Sequence, residues 1–130
     1  MSPTINMGDQ LIVSRFLAFF DNYSHGDLVM INLEIDGNST TAIKRVAAVP
    51  GDHLVITGYA LYINNIRQEW PFLAGNDVYI DMVLGSDQYF LLGDNTTISN
   101  DSRHFGSVTN RQIIAKIILR YFPLSVIEIF

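Results

Sequence analysis

The sequence contains no cysteine. Disulfides, thiol chemistry and zinc–thiolate sites are therefore excluded. Charge is also scarce: 16 % of the 130 residues are Asp, Glu, Lys or Arg, and the formal net charge is −5. Apart from the pair Lys44-Arg45, the eight basic residues are spread singly. Phosphate contacts need clustered Lys and Arg, so nucleic acid is not an expected partner. The most apolar stretches, Phe16 to Phe20, Gln112 to Leu119 and Phe122 to Phe130, fall short of the roughly 20 residues of a membrane span, and Lys116 interrupts the second. No charged n-region, apolar h-region and cleavage site open the chain. His25, His53 and His104 show neither triad nor metal spacing and read as turn or surface residues, so no metal and no cofactor are expected.

What is present suits a single domain over residues 1–130 with one core, since 48 % of the chain is apolar. A mean hydropathy of +0.22 implies exposed apolar surface, which usually marks an interface with membrane or protein. One local pattern recurs. Gly8-Asp9, Gly26-Asp27 and Gly51-Asp52 each precede four residues of strand character. Each pair reads as a turn feeding a strand, over 10–13, 28–31 and 53–56. The unequal intervals indicate shared turn chemistry and not a repeat architecture. Asp9, Asp27 and Asp52 are accordingly turn residues first.

Further strands are expected at 61–63 and 66–68 around the hairpin turn Asn64-Asn65, and at 78–83 and 88–92. Residues 113–121 match helix spacing through Ile113, Ile114, Ile117 and Ile118, but their isoleucine content favours strand. Phe16 to Asn22 is a short helix or a loop. Gly75-Asn76-Asp77 and Gly85-Ser86-Asp87 are loops inside the domain. The sum is a mostly-β fold of short, largely antiparallel strands with little helix. Trp70, followed by Pro71-Phe72, reads as a packing anchor, although an exposed aromatic would also suit work at a bilayer surface. The segment 122–130 either packs on the core or touches lipid.

Two segments carry chemistry. Lys44, one of only two lysines, interrupts the apolar run Ala42 to Val49, which ends in Pro50-Gly51-Asp52. An ammonium in such a strand carries a desolvation cost; it needs a partner, or it loses its proton more easily than a surface lysine. A neutral lysine is a general base. An ion pair with Asp94 or Asp101 is the plainer alternative. The second segment is the polar loop Gly93-Asp94-Asn95-Thr96-Thr97-Ile98-Ser99-Asn100-Asp101-Ser102-Arg103-His104-Phe105-Gly106 after the apolar Tyr89 to Leu92. Taken alone, it is equally a long self-capped turn.

Together with Met1-Ser2-Pro3-Thr4-Ile5, these segments resemble the bacterial type I signal peptidases, serine peptidases of family S26. Those enzymes are anchored in the membrane and remove signal peptides. The family's blocks occur in order: Ser-Met-X-Pro-Thr, then Lys-Arg-Val with Pro-Gly-Asp, then Gly-Asp-Asn with Ser-X-Asp-Ser-Arg and Gly. The resemblance implies a compact signal-peptidase-type fold of the Gram-positive kind. It implies Lys44 as general base and Ser99 as the hydroxyl that orients it. It also implies Arg45, Asp94, Asp101, Ser102 and Arg103 as support, and Met1, Ser2, Pro3 and Ile43 as substrate contacts. A serine is a weak nucleophile until a base takes its proton, and a lysine serves if its pKa falls from about 10.4 toward working pH. Ser99 adds no negative charge, which would oppose that fall.

The chain departs from the family pattern in two places. The nucleophilic serine should stand directly before Met1, so the chain as it begins is expected to lack both nucleophile and membrane anchor and to be inactive alone. Ser2 falls at the variable position of the motif and is not assigned that role. Thr96, Thr97 and Ile98 replace the more usual polar or charged residues. The implied partners are signal peptides of pre-proteins and the membrane surface, with the catalytic domain on the extracytoplasmic face of the cell membrane. Two other functions compete: a non-catalytic relative that binds or assembles surface proteins, and a self-cleaving repressor with a Ser/Lys dyad. A non-catalytic relative would be expected to have lost the lysine or Ser99, and both are present; the repressor class brings a DNA-binding domain not seen here, and the Gly93 to Gly106 block resembles the signal peptidases.

Overall fold

The computed structural model describes residues 1–16, 20, 23–70, 73 and 78–130. Within them the chain forms two antiparallel sheets and little helix. The larger sheet contains β1 (Gln10–Ser14), β2 (Leu28–Ile35), β3 (Asn38–Ala48), β8 (Phe90–Leu92), β9 (Ile113–Phe122) and β10 (Glu128–Ile129). Its order is β1-β9-β2-β3-β8, with β10 also on β9. The smaller sheet runs β6-β5-β4-β7, from β4 (His53–Thr57), β5 (Ala60–Ile63), β6 (Ile66–Gln68) and β7 (Tyr79–Val83). One helical turn, α1 (Ser102–Phe105), follows β8.

The three Gly-Asp turns are built alike. The amide three residues upstream donates to the Asp carboxylate, as Asn6 to Asp9, Ser24 to Asp27 and Val49 to Asp52. The Asp amide in turn bonds back to the carbonyl of that same residue. Gly8, Gly26 and Gly51 take φ of +94°, +87° and +87°, a region closed to most side chains. Each Asp then holds a basic group: Arg120 for Asp9, Lys116 for Asp27 and His25 for Asp52.

Two tight hairpins have positive φ at both central residues, as the favoured hairpin turn requires. One is the expected Asn64-Asn65 turn. The other, Asp36-Gly37, joins β2 to β3 and carries both strands past the expected limits, from Ile31 to Ile35 and from Ala42 back to Asn38. On β2 the extension keeps the alternation, with Leu33 buried, whereas on β3 it is the polar, exposed run Asn38 to Thr41, which no apolar pattern announces. Residues 113–122 are one strand, because β9 is paired by β1 on one side and by β2 and β10 on the other. Phe16 to Asn22 lies largely outside the described residues, as do Phe72 and Gly75-Asn76-Asp77.

Alternation along β2 sorts the core. Val29, Ile31 and Leu33 pack with Val46, Tyr89, Leu91 and Ile113. Leu28 turns to the other face, with Ile5 and Ile117; Met1, Met30, Ile43 and Phe130 pack against them. The smaller sheet closes over Ala47, Ala48, Phe90 and Leu92 with its own Leu54, Ile56, Leu61 and Ile63. The C-terminal segment divides its roles. Phe130 packs inward, whereas Leu124, Ile127 and Ile129 are exposed, as are Met7, Phe16 and Phe20. Among the described residues no helix is long and apolar enough to cross a membrane.

Candidate active site

β3 presents successive side chains to opposite faces of the sheet. Lys44 stands on one face, directly opposite Val29 of β2, while Ile43 and Arg45 point to the other. β8 pairs with β3 only over Arg45 to Ala48. Beyond Arg45 the edge of β3 is open among the described residues. A groove of about 330 Å³ lies along that edge. Leu33 and Ile35 of β2, Thr40 to Ala42 and Lys44 of β3, and the loop from Gly93 to Asn95 line it. Met1, Ser2, Ile98, Ser99 and Asn100 complete it.

Lys44 is half-buried, and its Nζ lies 3.0 Å from Ser99 Oγ. Burial holds the amine below the ordinary lysine range; Asp101 pulls it back up, and Arg103 pushes it further down. Among the described residues no carboxylate pairs with Lys44, because both candidates are already engaged. Asp94, fully buried, receives Arg45 Nε and Nη2 at 2.7 and 2.8 Å. Asp101, equally buried, receives Arg103 Nε and Nη2 at 2.8 and 3.0 Å. Such bidentate pairs are the strong form of charge-assisted hydrogen bond.

Asp101 is the hub of the loop. Its carboxylate also accepts the Gly93 amide at 3.1 Å and the Arg103 amide, which it caps at the start of α1. Burial alone would raise its pKa, but Arg103, the Gly93 amide and Ser99 outweigh it and hold the group below its usual range. Ser99 Oγ accepts from Lys44 Nζ. Arg103 donates further to the carbonyls of Thr96 and Ser99. Those bonds use main chain, so the unusual side chains at 96–98 leave the network intact. Ser102 is buried and accepts the Leu91 amide at 2.9 Å, a structural task. Gly93 has no room for a side chain: a Cβ there would lie 2.2 Å from Ser99 Oγ.

The N-terminal segment is tied in by arginines. Thr4 meets Arg45 Nη2 at 3.5 Å through its hydroxyl and Arg120 through its carbonyl. Met1 and Ser2 reach the groove; Pro3, after a cis peptide, does not line it but accepts Asn6 Nδ2. Ile43 lies on the opposite face of β3, in the cluster that holds Met1. His25 pairs with Asp52, His53 with Asp81, and His104 closes the capping box of α1, all away from Lys44.

Sequence reasoning passed over several groups here. Gly93 was read as part of a motif without its steric role. Leu33, Ile35 and Thr40 reach the groove only because of the longer hairpin. Trp70, whose indole donates to the Gly93 carbonyl at 2.9 Å, and Arg120 act across long sequence separations that no local pattern signals.

Residues 1–122 match the family described as "Signal peptidase, peptidase S26". Signal peptidase I of Bacillus amyloliquefaciens is 28 % identical over 141 residues, spanning 98 % of this chain and 74 % of that protein. Signal peptidase I of Bacillus caldolyticus is 30 % identical, spanning 96 % and 76 %. A solved signal peptidase I from Enterococcus faecalis V583 superposes with a TM-score of 0.56 at 23 % identity, over 71 % of this chain and 93 % of that one. At that identity the superposition speaks for the fold alone.

Proposed function

The chain belongs to the signal peptidase family, peptidase S26, and from that membership we propose that it is a signal-peptidase-type serine endopeptidase that removes signal peptides from secreted pre-proteins. The observation that carries the catalytic reading is Lys44 Nζ at 3.0 Å from Ser99 Oγ in a half-buried site whose carboxylates are held by arginines. A base needs a lone pair at working pH, and burial without a counter-ion supplies it.

In this reading the nucleophile is a serine directly before Met1. Lys44 takes its proton as it attacks the scissile carbonyl and returns that proton to the leaving amine. Ser99 aims the amine, while Asp101 and Arg103 fix Ser99 and Asp94 and Arg45 fix the strand. The signal peptide lies extended along the open edge of β3, taking main-chain hydrogen bonds as an added strand. Met1 and Ser2 shape its contacts from within the groove; Ile43 shares a cluster with Met1 on the other face of β3, and Pro3, outside the groove, acts only by placing Ser2. The substrate places the enzyme at the membrane surface, on its extracytoplasmic face. The exposed apolar residues Phe16, Phe20, Leu124 and Ile129 suit that site.

The test is a protein carrying a serine directly before Met1, with the upstream segment of its relatives, assayed on a signal-peptide substrate. Cleavage after a small residue is expected, and Lys44→Ala abolishes it. Full activity in that variant would overturn the dyad.

A further inference from the structure

The smaller sheet contributes no side chain to the groove, yet one residue attached to it reaches the catalytic loop. Trp70 follows β6 and packs against the cluster of Leu54, Leu61, Phe90 and Leu92. From there its Nε1 donates to the Gly93 carbonyl at 2.9 Å. Gly93 is held from its other side as well, since its amide donates to Asp101 Oδ2 at 3.1 Å. The peptide on each side of this glycine thus has one fixed partner, one in each half of the molecule.

The position of Gly93 sets the position of Ser99. The two are in such close contact that even a methyl group on Gly93 would fall 2.2 Å from Ser99 Oγ and 2.5 Å from its Cβ. If Gly93 moves toward the groove, Ser99 is driven off Lys44. If it recedes, the surface against which Ser99 rests is lost. Ser99 thus rests against Gly93, and the indole N–H is one of the two bonds that hold Gly93 in place.

We propose that Trp70 is a positioning residue for peptide-bond cleavage: anchored in the core of the smaller sheet, its indole N–H fixes the Gly93 carbonyl and thereby keeps the Ser99 hydroxyl against the Lys44 amine. The proposal rests on the reading of Lys44 as the base. The charged groups around that amine are few. The loop and α1 bring Asp94, Asp101 and Arg103; β2 brings only Leu33 and Ile35, and the N-terminal segment Met1 and Ser2. A release of Ser99 would let the amine swing outward to water, where its ammonium is favoured.

With two lysines in the chain, ¹³Cε-lysine labelling gives two side-chain resonances, assigned with Lys116→Arg. Trp70→Phe keeps an aromatic ring and deletes the N–H. It is expected to move the Lys44 titration midpoint upward. In the serine-bearing protein it should lower kcat about tenfold, the worth of roughly one hydrogen bond, with KM nearly unchanged. The acid limb of the pH–rate profile should move with the NMR midpoint. Gly93→Ala, which displaces Ser99 directly, sets the largest shift available.

Should Trp70→Phe unfold, benzothienylalanine at this single tryptophan removes the N–H and preserves ring size. An unchanged Lys44 midpoint and an unchanged pH–rate limb in a folded variant overturn the proposal. The titration is read without turnover, so failure of the base reading, seen as an active Lys44→Met protein, is separately recognisable.

Discussion

Lys44 and Lys116 stand in one row across the larger sheet, each directly opposite Val29, on the strands that flank β2. Both project from strand interiors into partly covered surroundings. Lys116 meets a carboxylate, Asp27 Oδ2, at 2.7 Å. Lys44 meets a hydroxyl at 3.0 Å, although Asp94 and Asp101 are both near. The difference lies in prior claims. Arg45 and Arg103 grip those two carboxylates in bidentate fashion, which a lysine ammonium cannot match in geometry. The negative charge near Lys44 is already spent on guanidinium groups, so the amine bears its burial without a counter-ion. A strand lysine is thus made structural or basic by which of its neighbours remain available.

Removing each lysine in turn breaks the comparison most sharply. In the protein with a serine before Met1, Lys44→Ala should lower kcat/KM by about 10³-fold or more, the upper range for a general base, while Lys116→Met leaves it within about threefold. Equal losses would show that both amines are merely structural. Next in size, Ser99→Asp gives Lys44 the kind of partner Lys116 has. The added charge favours the ammonium, so the acid limb of the pH–rate profile should move to higher pH and turnover at neutral pH should fall about 100-fold.

Asp27→Asn makes the opposite exchange. It leaves a partly buried ammonium at Lys116 unpaired, and thermal or urea unfolding should report a loss of about 1–3 kcal/mol with the Lys44 resonance unmoved. The smallest effect is the pH dependence of stability. The folded-state pKa of Lys44 is depressed, so between it and the ordinary value near 10.5 the unfolded chain binds more protons and stability rises with pH. Lys44→Met should flatten that rise in urea titrations at neutral and alkaline pH. At the acid end Asp101 and Asp52 act with the same sign, in a lower pH window. Their depressed pKa values add stability above about 3.8, and it is lost as pH falls through the folded values.

The sequence made legible what is local. Gly-Asp turns announce their own geometry because glycine supplies the backbone angle and aspartate the bond back. The loop from Gly93 to Gly106 was recognisable because its short polar side chains satisfy one another within a few residues. β9 was readable as a strand from its isoleucines, despite helix-like spacing. Contacts between distant segments were not readable. Asp36-Gly37 signals a hairpin, yet its second arm, Asn38 to Thr41, is too polar to reveal a strand of that length. Trp70 is 23 residues from Gly93, and Arg120 is 116 from Thr4, distances over which no periodicity survives. The engagement of both carboxylates by arginines, on which the contrast between the lysines depends, was implied by the family resemblance and by no local pattern, and the folded chain shows which arginine takes which carboxylate.

Arg120 also sets an order of events. Its guanidinium holds the Thr4 carbonyl and Asp9 near one end of the chain, and the Val126 carbonyl and Glu128 near the other. Synthesis runs from the first of these to the last, and contacts across so long a loop form late. The strand bearing Lys44 can pair with β2 as soon as the Asp36-Gly37 turn emerges. Thr4 must wait for β9 and β10, more than a hundred residues later. The earlier-made segment is therefore secured late, and a nascent chain carries its base in place well before the segment meant to stand beside it is fixed.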